Sequence, residues 1–337
     1  MKKIIDEIAA SINNIGAESA RAVFTNPDYE PVDFSLKNFH EIRPVEAGNK
    51  TAFVDGGSAP IISSPGFCVH FVRIYSVIYT ANKKTKSLKQ EFFVLVSLKK
   101  SDKLNFAVRL FPAGENDFNP DLDDLEFSIL DPTLRSEGQS VNIQSVANAV
   151  RRFAELMFAG QVLDLLGQND MLLIDGTLQP NVTYEKKYVE LLLEKASSRS
   201  VVVCGVSKTS QLFTDAGDSV QSALQKLTGL PLWYYYPIAS TRTQVDIFIA
   251  KLHKASKYVF RIDLQKGTAP EEIFGILASN SKDPVFLGYP YGLVHADRCA
   301  RVSNSEREYL RTLFSSKIDI GKLEAALDAH SILDNIA

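Results

Sequence analysis

Two short patterns in this chain set a carboxylate beside glycine and a small hydroxyl residue: Val54-Asp55-Gly56-Gly57-Ser58 and Ile174-Asp175-Gly176-Thr177. Each follows an apolar run that reads as a β-strand, so each aspartate is expected at a strand end running into a glycine turn. In an open α/β sheet such ends face the functional crevice, and the glycine lets backbone and a phosphate-bearing ligand come close. A single Asp-Gly after a strand is ordinarily a turn; it is the pair that points to a site. A third acid, Glu155, shares a helical face with Phe158, Val162 and Leu166. A carboxylate in an apolar stripe must be paired, protonated or bound to a cation, and Arg151, one turn upstream, or Arg152 offers the simple pairing.

Three acids from two strand ends and a helix can hold one or two divalent cations through oxygen, and carboxylate ligands suit magnesium or manganese rather than zinc. The matching chemistry is phosphodiester hydrolysis, in which metal ions activate water and stabilise the leaving oxygen. The five histidines form no H-E-x-x-H or similar cluster. His295 follows the aromatic loop Gly288-Tyr289-Pro290-Tyr291-Gly292 on the first turns of a helix, where it is either a ligand or proton donor or a structural residue. Lys208, in Gly205-Val206-Ser207-Lys208-Thr209-Ser210, is placed to meet a phosphate or an attacking water, although the segment lacks the spacing of a P-loop.

The elements that must position these residues alternate strand and helix. Val69 to Tyr79 and Gln90 to Leu98 flank a polar link and predict a long hairpin, with Asn105 to Phe111 as a third strand. A surface insertion is expected over the acidic stretch Glu115 to Glu126. Val141 to Leu166 lacks proline and repeats apolar residues at three and four residue steps, predicting a long helix. Strands follow at Met171 to Ile174, Val201 to Val206, Gln244 to Ile249 and Tyr258 to Asp263. Helices are expected over Tyr184 to Ala196, Pro270 to Ala278, Leu293 to Val302 and Ser305 to Ser315, with a last one from Leu323 to Ile336. Wholly apolar strands bracketing helices favour an α/β sheet covered on both faces. The 337 residues, 45% of them hydrophobic, suffice for a large core, and a net charge of −3 leaves any nucleic-acid partner dependent on a local basic patch. Three widely spaced cysteines indicate neither a disulfide framework nor a zinc site and point to a reducing, cytoplasmic setting. The N-terminus reads as an amphipathic helix rather than a signal peptide, and no apolar run is long enough to span a membrane.

The order of these pieces resembles the NurA nuclease family: strand-Asp-Gly-Gly-Ser, hairpin, long helix with one Glu, strand-Asp-Gly-Thr, strand-Gly-Val-x-Lys, then Tyr-Pro and an Ala-bearing helix with His. The resemblance spans about Lys50 to Val302. It implies an N-terminal helical and extended segment over 1–49, a nuclease domain with an RNase H-like core and mixed sheet over 50–302, and C-terminal helices over 303–337. It also implies a homodimer and a manganese- or magnesium-dependent DNase with single-strand endonuclease and 5′-to-3′ exonuclease activity. Such an enzyme would resect DNA ends with a hexameric HerA-type ATPase in double-strand-break repair by homologous recombination. Carried onto this sequence, Asp55, Glu155, Asp175 and His295 match metal-binding residues, Tyr289 (or Tyr291) an active-site tyrosine, and Lys208 a lysine of open role. Glu126 and Glu137 are weaker alternatives to Glu155. The first motif departs from the family in carrying a second glycine, Gly57, and in continuing Ser58-Ala59-Pro60, where a basic residue is expected in some members.

Two segments could also touch DNA. The lysines Lys83, Lys84, Lys86 and Lys89 of the hairpin tip, and Lys99, Lys100 and Lys103 near the next turn, fit a phosphate backbone or a solvated edge. Trp233-Tyr234-Tyr235-Tyr236 fits base stacking or a buried core. A non-catalytic RNase H-like module that binds DNA or the ATPase is the alternative function, and a phosphatase a more distant third.

Overall fold

The structure, a computed structural model, describes residues 1–13, 20–46, 48–100, 102–114, 122, 125–136, 138–210 and 212–318. Glu137, most of the acidic stretch and the last expected helix lie outside these residues. The strands are β1 (Tyr29–Pro31), β2 (Phe39–Glu41), β3 (Lys50–Ser63), β4 (Phe67–Thr80), β5 (Lys83–Lys100), β6 (Leu104–Pro112), β7 (Glu126–Ser128), β8 (Met171–Asp175), β9 (Val202–Ser207), β10 (Trp233–Tyr235), β11 (Ala239–Thr241), β12 (Val245–Lys251) and β13 (Phe260–Gln265). The helices are α1 (Lys2–Asn13), α2 (Ile143–Val162), α3 (Glu185–Ser198), α4 (Val220–Leu227), α5 (Pro270–Ser279), α6 (Tyr291–Ala300) and α7 (Asn304–Ser315).

Eleven strands form one mixed sheet in the order β2-β10-β12-β13-β9-β8-β3-β4-β5-β6-β7, and β1 pairs with β11. At its centre β3, β8 and β9 run parallel, with Val54 beside Ile174 and Asp175 beside Val206. The long meander β3 to β6 is antiparallel, its hairpin closed at Ala81 and Asn82, both with positive φ. The wholly apolar runs of β8 and β9 are buried on both sides, while β5 and β6 alternate buried and part-exposed positions. One face packs on α2 and α3 through Val54, Val72, Val150, Phe153 and Leu192. The other packs on α5 and α6 through Phe53, Leu173, Val206, Phe274 and Leu293. The helix α2 begins where the Asn142 side chain accepts the Gln144 N–H at 2.9 Å, satisfying a donor that the first turn leaves open. None of the described helices is long and apolar enough to cross a membrane.

One expectation about the site's floor changes. The Asp55 motif is not a strand end followed by a turn, because β3 continues through Asp55-Gly56-Gly57-Ser58 to Ser63, paired with β4 in unbroken register to Pro60 and, past a bulge between Pro60 and Ile62, to its end. The glycines serve close approach instead: a Cβ on Gly56 would collide with the Glu155 carboxylate, and one on Gly57 with the Ala300 carbonyl. Of the two readings of the aromatic run, the structure realises the core, since Trp233, Tyr234 and Tyr235 are almost wholly buried in β10, where Tyr234 stacks on Phe274 with ring centroids 4.4 Å apart. Burying these rings removes a large apolar area from water and leaves no face for a base.

Candidate metal centre

Asp55 and Asp175 lie on adjacent parallel strands at nearly one level, because Val54 pairs with Ile174. The next strand, β9, ends at Ser207, so Lys208 emerges at the same edge. The helix α6 closes the site from above. Gly292 is pressed against the Phe53 ring, Gly57 admits the Ala300 carbonyl, and between them Leu293 and Ala296 are fully buried. This clamp brings Asp297 over the strand ends. Carboxylate oxygens of Asp55, Asp175 and Asp297 all lie within 4.8 Å of one another.

Such a group is self-repelling. Burial first, then the charges of Asp175 and Glu155, push the Asp55 carboxyl from an ordinary 3.8 up to about 8. The Lys208 ammonium meets part of this charge, 2.6 Å from Asp175 and 2.9 Å from Asp297. Burial alone would lower its pKa, but Asp175 and then Asp297 outweigh burial and raise it. Lys208 also lies over the ring of Tyr289, 5.4 Å from the centroid. Tyr289 is fully buried against Phe286 and Phe260, and burial, then Asp175 and Asp55, hold its hydroxyl protonated.

Glu155 is also buried, at 2% exposure, and adjoins the site through Gly56. It is not among the three clustered acids. Its carboxylate accepts from Arg151, whose Nη1 also donates to the Gly56 carbonyl at 2.7 Å, and it lies 3.6 Å from Arg152. Burial pushes its pKa up while Arg151 and Arg152 pull it down. The pairing alternative in the sequence is therefore realised, and Glu155 ties α2 to the site's floor. Of the other candidates, Glu126 pairs with Lys99 at 2.6 Å on the sheet's far edge.

His295 faces elsewhere. Its Nδ1 is 2.7 Å from the Tyr79 hydroxyl and its ring 5.9 Å from that of Tyr75, and burial, then Lys84 and Arg298, lower its pKa. Residues two apart on a helix point about 200° apart, so His295 and Asp297 cannot both face the aspartates. Asp297 was missed in the sequence. A signal did exist, because it stands one turn after the buried Leu293, at the edge of the stripe Gly292, Ala296 and Ala300. Tyr291 turns outward with its ring 4.9 Å from Tyr79.

The donor set suits a hard divalent cation: three carboxylates, of which Asp175 and Asp297 meet Lys208 and Asp297 also meets Arg301, beside a cleft of about 170 Å³ lined by Asp55 to Ser58, Asp297 and Ala300 to Val302. A cation held by Asp55, Asp175 and Asp297 would supply Lewis-acid charge to a phosphodiester and to an attacking water. The chain's own groups supply the rest. Lys208 can turn from the carboxylates toward phosphate oxygens, and Arg301, 3.2 Å from Asp297, lines the cleft as a second cation. Gly57→Ala should push α6 from β3, lowering stability by about 1–3 kcal/mol as overpacking does. A thermal melt unchanged from that of the parent protein would contradict this contact.

No protein-family model matches the chain, and no curated protein matches its sequence. Among solved structures it is similar to the NurA nuclease from Sulfolobus solfataricus, at 17% identity over 94% of this chain and 93% of that one, with a TM-score of 0.52. It is also similar to the catalytic domain of human Endonuclease V, at 12% identity over 81% of this chain and 91% of that one, with a TM-score of 0.41. The likeness to NurA establishes the fold, an RNase H-like arrangement with a large mixed sheet flanked by helices.

Proposed function

We propose that this protein is a divalent-metal-dependent deoxyribonuclease using manganese or magnesium. The observation that carries the reading is the convergence of Asp55, Asp175 and Asp297 at the edge of the parallel strands, in the fold of a NurA nuclease. In this reading the three aspartates hold the metal, Glu155 keeps the floor of the site in place and modulates its charge, and Lys208 meets the scissile phosphate. Tyr289 holds Lys208 in position from below. By analogy with NurA we extend the reading to single-strand endonuclease and 5′-to-3′ exonuclease activity on DNA ends in the cytoplasm. The further extension is to a homodimer acting with a HerA-type ATPase in double-strand-break repair. The exposed Ile4, Ile5 and Ile8 on α1 support an assembly surface at that end of the chain.

One observation favours the alternative, a DNA- or ATPase-binding module without catalysis: Glu155 is already neutralised by two arginines. Linear and closed-circular single-stranded DNA, incubated with manganese or with EDTA, separate the readings. The nuclease degrades linear DNA only with metal, and nicking of the circle reports the endonuclease. A module binds both and cuts neither, with or without the ATPase.

A further inference from the structure

The face of the sheet that carries Asp55 continues outward as a patch of rings and cations that the carboxylate site does not use. Asp55 pairs in register with Tyr75 on β4, and Tyr75 with Lys89 on β5. Register partners share a face, so these side chains stand in one row. A second row runs from Thr51 to Tyr79 to Lys84. The same register sends Lys86, beside Ile78, to the opposite face, so only part of the hairpin's lysine cluster belongs here. From above, α6 adds the His295 and Tyr291 rings, with the exposed Arg298 one turn from Val294.

The rings are held in position. The Tyr79 hydroxyl meets His295 Nδ1 at 2.7 Å, Lys84 Nζ donates to the Tyr75 hydroxyl at 3.3 Å, and the Tyr291 hydroxyl donates to Asn82 at 3.2 Å. Tyr75 and His295 are tilted 36° to each other with centroids 5.9 Å apart, and both are half-buried, keeping part of each ring open. Fixed aromatic faces flanked by exposed cations are the chemistry that binds unpaired bases and their phosphates. The protein as a whole is acidic, at −3, so a local group of cations beside a carboxylate centre carries weight. Adjacent strands are about 5 Å apart, which places Lys89 roughly 10 Å from the Asp55 strand, a reach of a nucleotide or two.

We propose that Tyr75, His295, Lys84 and Arg298 form a binding site for the unpaired DNA segment next to the phosphodiester at the aspartates. This rests on the nuclease reading for its orientation, but its test does not require cleavage. Binding of a fluorescent single-stranded oligonucleotide is measured by anisotropy in EDTA over a range of salt. Tyr75→Ala is expected to weaken binding roughly tenfold, as loss of one stacked base does, while Tyr75→Phe binds as the parent. Lys84→Ala with Arg298→Ala, at exposed positions that leave the core intact, should flatten the slope of log K against log salt by about 1.4, or ~0.7 per lost phosphate contact on a single strand. Parent-like affinity and slope in both sets of variants, or no binding by the parent protein, would overturn the proposal. Failure of the nuclease reading is distinct: the oligonucleotide binds with this pattern, yet added manganese produces no cleavage.

Discussion

Replacing Asp297 by Asn weakens manganese binding and metal-dependent cleavage by at least about a hundredfold, since even residues one shell further from a metal cost 10- to 100-fold. Asn keeps the shape and one oxygen but removes the charge from a group of three oxygens within 4.8 Å of each other. His295→Ala, by contrast, leaves manganese affinity intact, because that ring belongs to the Tyr75 and Tyr79 cluster on another side of α6. Calorimetric titration of both variants reads this directly. Loss of manganese binding in His295→Ala and its retention in Asp297→Asn would assign the site as the NurA resemblance implies rather than as the geometry does.

Asp55→Asn separates stability from function. Burial, Asp175 and Glu155 raise the Asp55 pKa from 3.8 to about 8, so the metal-free folded protein holds a proton there that the unfolded chain has released. Between those values the native state binds more protons, and stability falls as pH rises through the window. The contribution is fully present below about pH 4 and is lost as pH passes 8. Asn removes the charge at all pH values. In EDTA at pH 8 the variant should melt at a higher temperature than the parent, the gap closing toward pH 5. Adding manganese should stabilise the parent, by mass action, far more than the variant. A variant less stable than the parent at pH 8 in EDTA would contradict the charge repulsion inferred at this site.

The parts of the fold legible in the sequence were those written in local periodicity. The apolar alternation of β4, the proline-free repeat of α2 and the apolar block of β8 each fall within a few residues of their observed bounds, whereas β5 begins at Lys83 rather than Gln90, because pairing with β4 carries the polar lysine-rich link into the strand. Asp175 at a strand end was legible for the same reason. The path of β3 was not, since Gly56 and Gly57 look like a turn locally. Their cause is remote: the Glu155 carboxylate comes from a helix about a hundred residues later, and the Ala300 carbonyl from the far end of the chain. The aromatic run in β10 shows composition but not burial, which depends on pairing with β2 and β12 and on α5 packing above it. Choosing between His295 and Asp297 likewise needed the rotation of α6. That rotation is fixed by Gly292 against Phe53, a contact between residues far apart in the chain.

The most direct test is digestion of end-labelled single-stranded DNA by the purified protein with manganese, magnesium or EDTA, beside Asp175→Asn folded to the same extent by circular dichroism. The account predicts cleavage by the parent protein with either metal, none in EDTA, and loss in the variant of at least about a hundredfold. Cleavage that persists in Asp175→Asn, or that proceeds equally in EDTA, would contradict a metal centre built on these aspartates.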